Sequence, residues 1–63
     1  MIPKTGQYYY AFYKGAFAIF RCTHADEKGY AGERILDEPA SRDREALRKR
    51  VYELNGWEYK PRQ

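Results

Sequence analysis

The chain has a single cysteine and a single histidine. One thiol cannot cross-link the backbone, so the disulfide-stapled class of small proteins is excluded. A zinc site needs three or four suitable ligands, and no second Cys or His exists to build one. No apolar run approaches the length of a bilayer span, and no charged-then-apolar stretch opens the chain. A cytoplasmic protein with no membrane partner is therefore expected. Also missing are a glycine-rich phosphate loop, a Walker pattern and paired carboxylates on one expected face. At 63 residues the chain has room for one small domain and none for a second lobe or a deep pocket. These absences read as a non-catalytic protein without a cofactor or metal.

What is present is tyrosine: seven, against one Trp and three Phe. With a mean hydropathy of −0.96, most of the aromatic area carries a polar tip. The net charge of +3 is unevenly spread. Residues 1–22 carry Lys4, Lys14 and Arg21 and no acid. Residues 23–40 set Lys28 and Arg34 against Asp26, Glu27, Glu33, Asp37 and Glu38, and the remainder is basic again. A pI near 9.1 is compatible with nucleic acid but does not require it.

Residues 7–22, QYYYAFYKGAFAIFRC, read as a β-hairpin turning at Lys14-Gly15, because aromatic and β-branched side chains dominate both arms. A two-residue loop pairs Tyr13 with Ala16, Phe12 with Phe17 and Tyr10 with Ile19. It gathers Tyr8, Tyr10, Phe12, Phe17, Ile19 and Arg21 on one face. Tyr9, Ala11, Tyr13, Ala16, Ala18 and Phe20 fall on the other. A three-residue loop would leave large hydrophobes on both faces, so the first register is preferred, although Lys is a poor first residue for a type I′ turn. Residues 23–29 read as a polar loop and residues 30–36 as a third strand, with Gly32 as its bulge or weak point. Ser41 is the expected N-cap of a helix over 42–54, whose Leu47, Val51 and Leu54 share a face. Glu45 and Lys49 have the spacing of a helical ion pair. Asn55-Gly56 is the stop signal, with Trp57 folding back near Tyr52, and 57–59 can add a short fourth strand.

The expected fold is α+β: a three-stranded, or with that addition four-stranded, antiparallel sheet with one C-terminal helix on one face. So few large aliphatics make a marginal core, and a homodimer is one way to complete it. The layout over residues 7–54 resembles that of AP2-like and integrase arm-binding DNA domains, and in outline small antitoxin-type βββα domains. It shares no motif with them, and the hairpin offers only Lys14 and Arg21 for a groove, which speaks against duplex reading.

Cys22-Thr23-His24-Ala25-Asp26-Glu27 is the one cluster that resembles a reactive site. A strand-end cysteine followed by a polar loop accounts for it more simply. Two surfaces remain. Tyr9, Tyr13 and Phe20 form a flat, tyrosine-rich face, since interface hot spots favour such rigid aromatic area. Arg44, Arg48 and Lys49 on the helix can meet phosphates or assist that face. The leading expectation is a protein-binding module, an accessory subunit or inhibitor of a larger complex. The alternative is a single-stranded RNA or DNA binder, with Tyr9 and Tyr13 stacking bases and Arg48 and Lys49 on phosphates.

Overall fold

The computed structural model describes residues 3–60. Residues 61–63, the end of the expected C-terminal segment, lie outside the described residues. Three antiparallel strands, β1 (Tyr8–Tyr13), β2 (Ala16–Asp26) and β3 (Gly29–Arg34), form one sheet in the order β1-β2-β3, and α1 (Arg44–Asn55) follows. The hairpin takes the two-residue register: Tyr13 pairs with Ala16, Phe12 with Phe17 and Tyr10 with Ile19. Lys14 and Gly15 both have positive φ, 49° and 86°, as a type I′ turn demands. That turn matches the right-handed strand twist, and the hydrophobic gain of the register outweighs the strain at Lys14.

The second connection differs from expectation. Residues 23–26 are strand rather than loop, and β2 runs on to a tight turn in which Asp26 pairs with Gly29. Gly29 at φ 147° and Asp26 Oδ1, which accepts the Lys28 N–H at 2.9 Å, close it. The bulge lies on β2, not at Gly32: Cys22 pairs with Gly32 and His24 with Ala31, leaving Thr23 as the extra residue.

The helix covers the face of Tyr8, Tyr10, Phe17 and Ile19. Ile19, Leu47 and Val51 form the buried centre, with Tyr8, Tyr10, Phe17, Ile35 and Leu54 packed around it. Phe12 is an exception on that face: it lies beyond the end of the helix, 67% exposed. The helix also starts later than expected. Asp43, not Ser41, is the N-cap, its carboxylate accepting from the N–H groups of Glu45 and Ala46 at 3.1 and 3.2 Å. A carboxylate at this position serves both the orphan donors and the helix dipole. Ser41 instead bridges its backbone to Phe17, which ties the approach to the helix onto β2.

The C-terminus of α1 closes as a Schellman motif: Gly56 at φ 73° donates to Glu53, and Trp57 donates to Tyr52. Trp57 meets the Tyr52 ring edge-on at 5.4 Å. The following residues do not join the sheet. They run back along α1, where Tyr59 meets Tyr52 at 5.8 Å and donates its hydroxyl to Glu45. No described helix is long and apolar enough to cross a membrane.

Candidate functional site

α1 and the described part of the C-terminal segment lie on one side of the sheet. On the opposite face Ala18 and Cys22 are buried, the Cys22 thiol near the Pro3 carbonyl, while an aromatic area around Tyr13 and Tyr30 stays exposed. Cross-strand pairing places Tyr9 beside Phe20, Tyr13 beside Ala16, Phe20 beside Arg34, and Ala25 beside Tyr30. Alternation along each strand then puts Tyr9, Tyr13, Phe20, Tyr30 and Arg34 on this face. Among the described strand residues no carboxylate shares it: Asp26 and Glu33 point the other way by the same alternation.

The rings are packed on one another. Tyr9 stacks on Phe20 with centroids 5.5 Å apart and planes 14° from parallel. Tyr30 meets Tyr9 edge-on at 5.1 Å, and Tyr13 meets Phe20 edge-on at 5.9 Å. Lys14 Nζ and the Arg34 guanidinium lie over the Tyr13 ring, 5.2 and 5.6 Å from its centroid. Offset and edge contacts of this kind contribute about 0.5–1.5 kcal/mol each beyond area burial, so the patch is preorganised. Burial, and then the neighbouring Tyr30, raise the Tyr9 hydroxyl above its ordinary pKa, and it stays neutral as a donor and acceptor at physiological pH. Tyr13 is 38% and Tyr30 45% exposed.

Lys14 is the one described non-glycine residue with positive φ. A left-handed conformation costs an L-residue about 1–2 kcal/mol, and here it sets a cation at the rim of the aromatic patch.

The basic helix residues do not join this face. Arg48 is committed to structure. Its Nε and Nη2 donate to both Glu45 oxygens at 2.8 to 3.2 Å, and Nη2 also donates to the Lys60 carbonyl. Its guanidinium stacks over Tyr52 and Tyr59, leaving the side chain 12% exposed. The hydrogen bonds to Glu45 hold its charge more firmly than usual. Glu45 thus turns to Arg48, and among the described residues no ion pair involves Lys49, which is exposed. Among the described residues the Arg44 side chain reaches only the Tyr10 hydroxyl, at 3.4 Å. Arg44 and Arg48 line an open groove of about 510 Å³ along the β1 edge, which Tyr9 and Tyr30 also reach.

The Cys22–His24 cluster comes apart. The bulge at Thr23 separates the two side chains. Cys22 is buried, with its thiol near the Pro3 and His24 carbonyls. His24 points outward, with Nε2 3.0 Å from Asp26 Oδ2. That hydrogen bond, and then the Lys28 N–H, hold the Asp26 carboxyl below its usual range. Among the described residues no group of His, Cys, Asp and Glu is assembled for a metal ion.

Of the residues singled out from sequence, Tyr9, Tyr13 and Phe20 come together, whereas Arg44, Arg48 and Lys49 belong to the helix side. Tyr30 and Arg34 are the members that sequence reasoning missed. Their alternation was legible, but without the bulge their register against β2 was not. The molecule belongs, by architecture, to the compact α+β domains with a βββα order, a three-stranded antiparallel sheet with one helix packed against it. No protein-family model matches the chain, and neither curated proteins nor solved structures yield a significant match.

Proposed function

We propose that this chain is a non-catalytic protein-binding module, an accessory subunit or inhibitor of a larger complex, that engages its partner through the aromatic sheet face opposite α1. The observation that carries this reading is the ring-on-ring packing of Tyr9, Phe20, Tyr30 and Tyr13. It presents a rigid surface of ring edges and hydroxyls whose contact entropy is already spent, the property that makes tyrosine an interface anchor. Arg34 and Lys14 with no carboxylate beside them suit a partner surface that is apolar at its centre and acidic at its rim.

A second reading, a single-stranded nucleic-acid binder, is favoured by the absence of acids on that face. It is opposed by the occupancy of the ring faces. Phe20 occupies one face of Tyr9, and Lys14 and Arg34 lie over the Tyr13 ring, so less π-surface is left for base stacking.

The test uses the full chain as bait in extracts of its source cell, with nuclease. The wild type should retain one protein partner whose affinity changes little as salt is raised. Tyr13→Ala with Tyr30→Ala should weaken it by about tenfold or more, while Lys49→Ala leaves it unchanged. Recovery that depends on nucleic acid, or steeply salt-dependent binding of labelled oligouridine or oligothymidine, supports the second reading and rejects the first.

A further inference from the structure

The two edges of the sheet are not alike. Edge strands expose unpaired peptide groups, and proteins blunt them with charge, bulges or a covering element. The β3 edge carries Glu33 and Arg34 and faces the β2 bulge. The β1 edge has neither of the first two devices: its sequence, YYYAFY, contains no charge, no proline and no bulge.

Ladder geometry shows which β1 groups are open. Cys22 donates its N–H to the Gln7 carbonyl at 2.8 Å. Antiparallel alternation then turns the peptide groups of Tyr9, Ala11 and Tyr13 toward β2, and those of Tyr8, Tyr10 and Phe12 away from it. Tyr8 is covered, because Asn55 Oδ1 accepts its N–H at 2.8 Å and Asn55 Nδ2 donates to its carbonyl at 3.0 Å. The Asn55 side-chain amide thus occupies the place of one peptide unit of an adjacent strand. Among the described residues, the outward groups of Tyr10 and Phe12 have no such partner. Alongside them runs the groove between β1 and α1, floored by Phe17 and Val51 and flanked by Arg44. The Arg44 guanidinium has no carboxylate partner among the described residues and meets only a neutral phenol.

We infer that the β1 edge is a strand-addition site for an extended acidic peptide of a partner protein, its backbone pairing with Tyr10 and Phe12 and a carboxylate reaching Arg44. Strand addition draws affinity from main-chain bonds and specificity from alternate side chains. Here those alternate side chains are an apolar residue over Phe17 and Val51 and an acid at Arg44. A second copy of the chain fits less well: β1 carries no acid, so a β1–β1 pairing would leave each Arg44 without a counter-charge. Tyr9 and Tyr30 also line this groove, but the inference rests on the outward peptide groups of Tyr10 and Phe12 and on Arg44, which the aromatic-face reading does not use.

The experiment follows the backbone amides of the isotope-labelled full chain by NMR. The probes are an end-blocked peptide of alternating Glu and Val, its Lys/Val counterpart, and the Glu/Val peptide N-methylated at alternate residues. The Glu/Val peptide should shift the Tyr10 and Phe12 amides and slow their hydrogen exchange, the Lys/Val peptide should bind at least about tenfold more weakly, and N-methylation should abolish the effect. Arg44→Gln should weaken the Glu/Val peptide by about tenfold, and Arg44→Lys by less. An unchanged spectrum of each variant outside the groove separates lost binding from lost fold. Three results would each overturn the proposal. One is no slowing at Tyr10 and Phe12 at millimolar peptide. Another is equal binding by Arg44→Gln. The third is concentration-dependent protection of both amides in the free chain, which would make a second copy the occupant.

Discussion

Tyr9 lies across the aromatic face with its hydroxyl at Gly32, and this dictates what residue 32 can be. A Cβ added there would meet the Tyr9 side chain and lie 2.7 Å from the Arg21 carbonyl oxygen. Backbone cannot yield as a flexible side-chain tip can, so Gly32→Ala should destabilise the fold by roughly 1–3 kcal/mol, read from the urea midpoint. Shortening Tyr9 in the same chain should recover part of the loss. Sequence reasoning marked Gly32 as a bulge or weak point, because a lone glycine in a strand signals either a bulge or a close approach and pattern alone does not separate them. Lys14 gives a second test. Asn tolerates the left-handed conformation far better than Lys, so Lys14→Asn should raise stability by about 0.5–1 kcal/mol in thermal unfolding. On the proposed function the same change should weaken partner binding, since the cation at the Tyr13 ring is lost. A variant more stable yet weaker in binding is the expected signature of a residue retained for its charge.

At the scale of elements, α1 is tied to the rest of the fold at its C-terminus and along its outer face. Asn55 joins its C-terminus to β1, and Arg50 joins its outer face to the β3–α1 connection, where Nε and Nη2 bond the Glu38 carboxylate at 2.8 and 2.9 Å. Asn55→Ala removes both Asn55 bonds and uncovers the Tyr8 peptide, so it should cost about 1–2 kcal/mol and speed exchange of the Tyr8 amide. The Arg50 contact holds the Glu38 carboxyl below its ordinary range. A carboxyl whose folded-state pKa is depressed stabilises the fold above its unfolded value, and the contribution is lost as pH falls through the folded value. Glu38→Gln should therefore lower stability at pH 7, by about 0.2–1 kcal/mol for so exposed a pair. The wild-type and variant urea midpoints should converge below the usual carboxylate range. The elements themselves were largely legible: the hairpin register followed from hydrophobic segregation, and Asn55-Gly56-Trp57 marked the helix end. Helix onset and the partner of Glu45 were not. Ser41 and Asp43 are equally good caps in isolation, and the choice rests on the bridge between Ser41 and Phe17, a contact distant in sequence. Likewise Arg48 competes with Lys49 for Glu45, and it wins with Tyr59 and Tyr52 supporting its guanidinium.

For the whole molecule the limiting quantity is the core. Among the described residues the large aliphatics buried at its centre are Ile19, Leu47 and Val51, and Tyr8, Tyr10 and Phe17 complete it with Ile35 and Leu54 from the sides. The division of tyrosines follows from this economy. Tyr8 and Tyr10 close the core beneath α1, Tyr52 and Tyr59 hold the C-terminal segment, and Tyr9, Tyr13 and Tyr30 build a second aromatic layer on the opposite face. Sequence periodicity separated the first group from Tyr9 and Tyr13, but placing Tyr30 required the bulge, and only the path of residues 57–60 along α1 showed that they pack on the helix instead of the opposite face. A domain of this size has a net stability of only a few kcal/mol. Deleting the side chain at the centre of its one aliphatic cluster costs about 2–5 kcal/mol. Ile19→Ala should therefore leave the chain largely unfolded at 25 °C, with loss of both amide dispersion and a cooperative thermal transition. Phe12→Ser, on the same strand face but beyond the helix, should stay within about 0.5 kcal/mol of the wild type. Equal losses from the two substitutions would mean that the hydrophobic face is covered along its full length, and with it the hairpin tip that this fold leaves in solvent.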